Sequence, residues 1–197
     1  MRYKAGYKEG KRRELLRVSG KVAKRQGFAA TGVDALMGAA GVTSGAFYSH
    51  FPSKSDLFKA LIQNELAGSR ALLAGAPDEN LRDWIAHEMN RYLSLGHVRH
   101  PELGCALPSL AAEIGRSPPD VRRIFEAELL ETQRILAERL GGDEKAWALL
   151  SQMAGAILIA RALSEETTQV ALLDACKAFL TEALTGKNGS PPERTNG

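Results

Sequence analysis

Apolar residues recur along this chain at the spacing of a helix face almost throughout, and no stretch alternates as a half-buried strand would. Leu15, Val18, Val22 and Ala23 mark a helix from Lys11 to Gln26, and Gly27 suits the left-handed residue that ends it. Two short helices follow. Thr31 is a candidate N-cap for residues 33–37, with Asp34 three positions on as its short-armed partner. Gly41 supplies a turn, Val42 pins it, and Thr43 or Ser44 caps a second run to about His50, which Pro52 stops. A longer helix begins near Lys54 and shows Leu57, Phe58, Leu61, Ile62 and Leu66 on one side.

After a turn at 75–78 the next helix shows Leu81, Trp84, Ile85, Glu88, Tyr92 and Leu95. Segment 97–104 breaks the pattern, and Cys105 opens a short helix to about Ile114. Ser117-Pro118-Pro119-Asp120 starts a long helix that ends at Gly141-Gly142. Asp143 caps a run to Leu163, and Ser164, Glu165 and Glu166 open a last helix that ends at Gly186. The predicted fold class is all-α: a three-helix head, a linking helix and a body of five more. The boundaries fall at 9–69 for the head, with a helix-turn-helix at about 32–51, and at 78–186 for the body. Residues 187–197 are Pro/Gly/polar and are expected to be disordered.

The last two long helices carry more apolar surface than one core needs. Between Trp147 and Leu163 the polar residues are only Ser151, Gln152 and Arg161. On the final helix Leu172, Cys176, Phe179 and Ala183 form one strip, and Leu173, Leu180 and Leu184 another. One face can cover the chain's own core while the other meets a partner. Ala154, Gly155, Ala156 and Ala160 allow the close helix approach of a dimeric four-helix bundle. The alternative is a helix pair wholly buried inside a monomer.

Composition narrows the classes. With 197 residues and 44% apolar content a core is assured. No run of eighteen apolar residues exists to span a membrane. The basic start MRYKAGYKEGKRR lacks the apolar region of a signal peptide. Two cysteines are too few for a disulfide framework, so a reducing, cytoplasmic setting is expected. Charge is split: residues 1–59 hold 12 basic against 4 acidic side chains, a net +8, and the remainder 14 against 19, a net −5. A basic third on an acidic remainder suggests one part that meets phosphate and one that does not.

Two short helices around a glycine turn make the helix-turn-helix layout. Gly27-Phe28, Thr31, Val33, Ala40-Gly41-Val42, Gly45, Phe47-Tyr48, His50-Phe51, Lys54 and Leu57 resemble, position by position, the DNA-binding domain of the TetR/AcrR family of transcriptional regulators. The resemblance spans about residues 9–69. It implies a homodimer, joined through the last two long helices, whose heads read half-sites of a double-stranded operator about one helical turn apart, ~34–36 Å. The DNA-binding residues it implies are Thr31, Thr43, Ser44, Gly45, Tyr48, His50 and Lys54. Thr43 would bond a phosphate and Ser44 a base edge. Gly45 would let backbone approach closely, and Tyr48 would offer its ring to a thymine methyl and its hydroxyl to phosphate. His50 would donate at the far edge, and Lys54 would pair with phosphate. Phe47 and Phe51 read as core. Arg2, Lys4 and Lys8 form either a minor-groove arm or a free tail. No Arg, Asn or Gln occurs from 43 to 51, and Ser44 and Gly32 are smaller than many relatives carry, so phosphate, methyl and shape contacts are expected to dominate.

The family's body encloses an effector pocket. Here Trp84, Tyr92, Leu107, Leu110, Phe125, Met153 and Ile157 are the candidate wall, with few convergent charges, which suits an apolar small molecule. Each is also an ordinary core residue. Cys105, after Gly104 and at the start of a short helix, would gain thiolate character from that helix end and from His97, Arg99 and His100. Some relatives sense electrophiles or oxidants through a Gly-Cys pair at this place; a buried thiol is the plainer alternative. Cys176 reads as structural.

A thiol enzyme pairing Cys105 with His97 or His100 lacks a recognisable third member or oxyanion site. Four scattered histidines give no metal spacing, so neither metal nor cofactor is expected. The readings kept are a sequence-specific regulator, most simply a repressor released from a palindromic operator by an apolar or electrophilic effector, with a nucleic-acid binder of little sequence preference and, after it, a thiol-dependent enzyme as the alternatives.

Overall fold

The computed structural model describes residues 5–76 and 78–186, with the side chains of Ala5, Tyr7 and Ser44 excepted. The arm residues Arg2 and Lys4 and the tail 187–197 lie outside the described residues. Ten α-helices and one 3-10 turn are present there: α1 Ala5–Gln26, α2 Val33–Ala40, α3 Ser44–His50, α4 Lys54–Leu73, α5 Leu81–Tyr92, α6 Leu95–Arg99, α7 Leu107–Gly115, α8 Pro119–Leu140, α9 Asp143–Ala162 and α10 Glu166–Thr185, with the 3-10 turn at Pro101–Leu103. The architecture is all-α, a helix-turn-helix head followed by a helical body.

Two cores hold it. The head core gathers Leu15, Ala23, Phe28, Leu36, Phe47, Phe51, Leu57, Phe58 and Leu61, and takes in Leu110, Ile114 and Val121 from the body. Its centre is aromatic: Phe28 stacks on Phe58 at 4.2 Å, and Phe47 tilts against Phe51 at 6.1 Å. The body core runs from Trp84, Ile85 and Met89 to Leu136, Leu149, Ile157, Leu173, Leu180 and Leu184. α4 links the two, packing on α8, while α8 packs on α9, α9 on α10, and α10 on α5.

Several sequence expectations meet corrections. α1 begins at Ala5, six residues before Lys11, because the stretch before Lys11 is polar and glycine-bearing and gives no apolar period to read. α2 is capped by Gly32 in extended backbone with no side-chain bond, not by Thr31. Thr31 is buried, and its hydroxyl donates back to the Gly27 carbonyl at 2.7 Å. The short α6 escaped a reading based on periodicity, since five residues give little more than one turn; it starts at Leu95, which the sequence pattern places on the preceding helix, and runs into 97–104. Cys105 precedes α7 instead of opening it; Ala106 is the N-cap. Asp143 sits one residue inside α9, its carboxylate accepting from Gln133 Nε2 at 2.9 Å in place of capping. Gly27 and Gly141, at φ 83° and 72°, do close their helices in the left-handed region.

Candidate DNA interface and junction cavity

The recognition end is assembled by caps and by two aromatic anchors. Gly41, left-handed at φ 62°, donates to Gly38 and lets Val42 N–H reach the Met37 carbonyl at 3.1 Å. Thr43 then caps α3, its hydroxyl oxygen accepting from Ala46 N–H at 3.3 Å, with the hydroxyl proton left to donate outward. Phe47 and Phe51 are sealed in the core and fix the roll of the helix. That roll leaves Tyr48 55% exposed, its ring braced edge-on by Phe47 at 5.1 Å. Gly45 faces open space: a Cβ there would meet nothing within 4 Å. Ser44 begins α3, but its side chain is outside the described residues.

The other expected DNA contacts are placed differently. Thr31 cannot reach DNA, being only 4% exposed and committed to its own turn. His50 is half-buried, with Nδ1 buried and unpartnered. Burial, then the nearby charges of Lys8 and Arg12, hold its pKa below the ordinary imidazole value, so the ring is neutral at pH 7. Lys54 is tethered inward: Nζ donates to the Ala29 carbonyl at 3.1 Å and lies 5.0 Å over the Phe28 ring. Two protons of its ammonium remain for phosphate. Thr43, which caps α3, and Gly45 and Tyr48 within it are thus the exposed members of the expected set.

The expected effector wall does not converge. Trp84 is sealed under Arg139 at 4.9 Å and donates Nε1–H to the Leu73 carbonyl at 3.1 Å. Leu110 belongs to the head core and Phe125 packs beside it; Ile157 is buried in the body core. Only Tyr92, Cys105, Leu107 and Met153 come together, around a void of about 10 Å³. A far larger cavity of about 540 Å³ lies where head meets body, and Tyr92 and Cys105 line it with Lys24, Glu65, Arg91, His97 and His100. It is more charged than the few convergent charges expected from sequence.

Its hydrogen bonds explain that lining. Lys24 of α1 pairs with Glu65 of α4 at 2.6 Å, both largely buried, and also donates to the Gly104 carbonyl at 2.9 Å. Gly20 makes room for this, since a Cβ there would meet Glu65 Oε1 at 2.3 Å. His97 accepts Cys105 N–H on Nε2 at 3.0 Å and holds the Tyr92 carbonyl 2.8 Å from Nδ1, which fixes the proton on Nδ1. Burial pushes its pKa down to about 4, so it adds no positive charge beside Cys105, contrary to the sequence expectation. Gly104 must lack a side chain here: a Cβ would fall 2.1 Å from His97 Cδ2. The Cys105 thiol itself accepts Leu107 N–H at 3.5 Å, serving an orphan donor at the start of α7. Beneath, burial raises the Tyr92 phenol well above its usual pKa, with the nearby Cys105 adding to the shift. Sequence reasoning missed Lys24, Glu65 and Glu113, whose charged side chains look like solvated helix faces in one dimension.

Residues 15–61 match the family model described as bacterial regulatory proteins, tetR family. That stretch of the chain is thus similar to the tetR-family DNA-binding head. Regulators of this family are DNA-binding proteins without enzymatic activity, and the helix-turn-helix head is the part the model matches. The fold agrees along nearly the whole length. A reduced-form crystal structure of Escherichia coli NemR matches with a TM-score of 0.74 at 21% identity, covering 88% of this chain and 96% of that one. The regulatory protein TetR from Rhodobacter sphaeroides matches with a TM-score of 0.74 at 24% identity, covering 86% and 96%. A TetR-family regulator from Cytophaga hutchinsonii matches with a TM-score of 0.75 at 16% identity, covering 93% and 99%. At these identities the likeness speaks for the fold alone. No curated protein matches the chain. No helix among the described residues is long and apolar enough to cross a membrane.

Proposed function

We propose that this regulator is a repressor that holds a near-palindromic operator as a homodimer and lets go when a small molecule reaches the junction cavity. The observation that carries this reading is the position of that cavity. Lys24, from the first helix of the DNA-binding head, stands in one wall, and Cys105, Tyr92 and His97 of the body stand in another. A ligand there touches both regions at once, so it can favour one relative placement over the other. Releasing DNA 100-fold needs about 2.8 kcal/mol of such preference.

Cys105 is half-buried in the same wall, which supports an electrophile that alkylates the thiol as one class of effector. Proteins of this family bind DNA as dimers. For the dimer we favour α9 and α10. Leu173, Leu180 and Leu184 face the protomer's own core, whereas Leu158, Ile159 and Phe179 are each more than half exposed. Thr43, Ser44, Gly45 and Tyr48 are the proposed DNA contacts, with Lys54 as a phosphate partner.

Selection from a random duplex pool, with wild type beside Tyr48→Ala, tests the reading. The expected outcome is an inverted repeat that the variant fails to enrich. Recovery of no motif by either protein would overturn it in favour of a binder without sequence preference, the reading that the lack of Arg, Asn and Gln from 43 to 51 supports.

A further inference from the structure

Glu113 of α7 holds the head by its backbone. Its carboxylate accepts the N–H of Phe28 at 2.9 Å and of Ala29 at 2.5 Å, from 85 and 84 residues away. Gly27 makes this possible. At φ 83° it turns the two N–H groups that follow toward a common side, a concavity suited to an anion. The same turn is fastened by the Thr31 hydroxyl on the Gly27 carbonyl at 2.7 Å and by Lys54 Nζ on the Ala29 carbonyl at 3.1 Å. It runs directly into α2, which carries α3 through the Gly41 turn. α7 is in turn fastened to the body. Arg161 of α9 donates to Ser109 Oγ at 2.9 Å and to the His97 carbonyl at 2.9 Å.

One nine-residue helix therefore carries a polar attachment to α9 at Ser109 and another, at Glu113, to the turn that leads into the helix-turn-helix. We propose that Glu113 is a positioning residue for DNA recognition: its carboxylate sets the pose of α2 and α3 against the body, and so the angle at which α3 is presented to a base edge. A misplaced reading helix loses contacts that depend on geometry, while the longer-ranged attraction of basic residues to phosphate persists. Loss of the clamp should therefore separate sequence-specific from nonspecific binding, which a general loss of folding would not do.

The test uses the full chain carrying Glu113→Gln, which keeps the shape but sets an NH2 donor against one of the two backbone donors. Wild type and variant are titrated with the duplex that wild type enriches from a random pool and with random-sequence duplex of equal length. Binding to the enriched duplex should weaken about 10-fold, the order of one lost charge-assisted bond. Binding to random duplex should change less than about 2-fold, with melting temperature held and amide exchange at Phe28 and Ala29 accelerated. Glu113→Asp, one methylene short, should fall between and serves if the Gln variant does not fold. Unchanged affinity for the enriched duplex despite faster exchange at both amides would overturn the proposal. So would parallel losses on both duplexes with a lowered melting temperature, which mark a structural role. A wild type that enriches nothing removes the sequence-reading function itself, and this role with it, before any variant is made.

Discussion

Two hollows among the described residues are built on opposite terms. One, of about 610 Å³, lies on the head between α1 and α3, lined by Lys8, Lys11, Gly41, Val42, Thr43, Ser49 and His50 without a single carboxylate. The other, of about 540 Å³ at the junction, sets Lys24 against Glu65 and keeps His97 neutral. The first is a one-signed surface shaped by caps and turns, the kind that meets phosphate. The second is a set of mutually satisfied buried groups, in which moving one side chain leaves another without a partner. The difference teaches that a side chain lost at the reading end costs contacts to DNA more than stability, whereas one lost at the junction leaves a buried partner unsatisfied.

The largest effect should come from breaking the junction's ion pair. Lys24→Met leaves Glu65 buried and uncompensated and should cost about 4 kcal/mol in urea unfolding. Adding Glu65→Leu should recover most of it; no recovery would mean the pair is solvated and the contrast with the head false.

The second comes from pH. A free imidazole takes its proton near 6.5, but His97 does so only at about 4 when folded. Between those values the unfolded chain binds more protons, so stability is complete above about 6.5 and falls as pH drops toward 4. The loss should approach about 3 kcal/mol at most, and a His97→Gln variant should show a flatter melting profile over that window. Equal profiles would deny the buried, doubly bonded ring.

The smallest effect belongs to the head. Thr43→Ala removes the cap of α3 and should cost about 1 kcal/mol in chemical denaturation. DNA affinity should fall alongside, because the same hydroxyl faces outward. A loss as large as that of Lys24→Met would show the head to be as tightly coupled as the junction.

The helices of the head were legible because their signals are local. Gly41 needs a left-handed turn, Thr43 needs a neighbouring amide to cap, and Phe47 and Phe51 need one apolar side; each acts within four residues. The same locality misled at Thr31, where a residue suited to capping found a nearer carbonyl at Gly27 and was buried. α6 gave too few turns for a period, and the polar start of α1 gave none.

The junction was not legible, for a physical reason. Lys24 meets Gly104 across 80 residues and Glu113 meets Phe28 across 85, and no spacing rule spans such separations. In one dimension these are solvated charges; only packing removes the water that would otherwise satisfy them. The expected pocket failed likewise. An apolar residue on a helix face must be buried somewhere, but whether it fills a core, as Trp84 and Ile157 do, or borders a cavity, as Tyr92 does, depends on what stands opposite. By itself, then, the sequence determined the all-α architecture, the helix-turn-helix and the division between basic head and acidic body, all consequences of short-range geometry and composition. The tertiary structure alone decided where head and body grip each other, because that grip consists of charges whose partners are chosen by the fold.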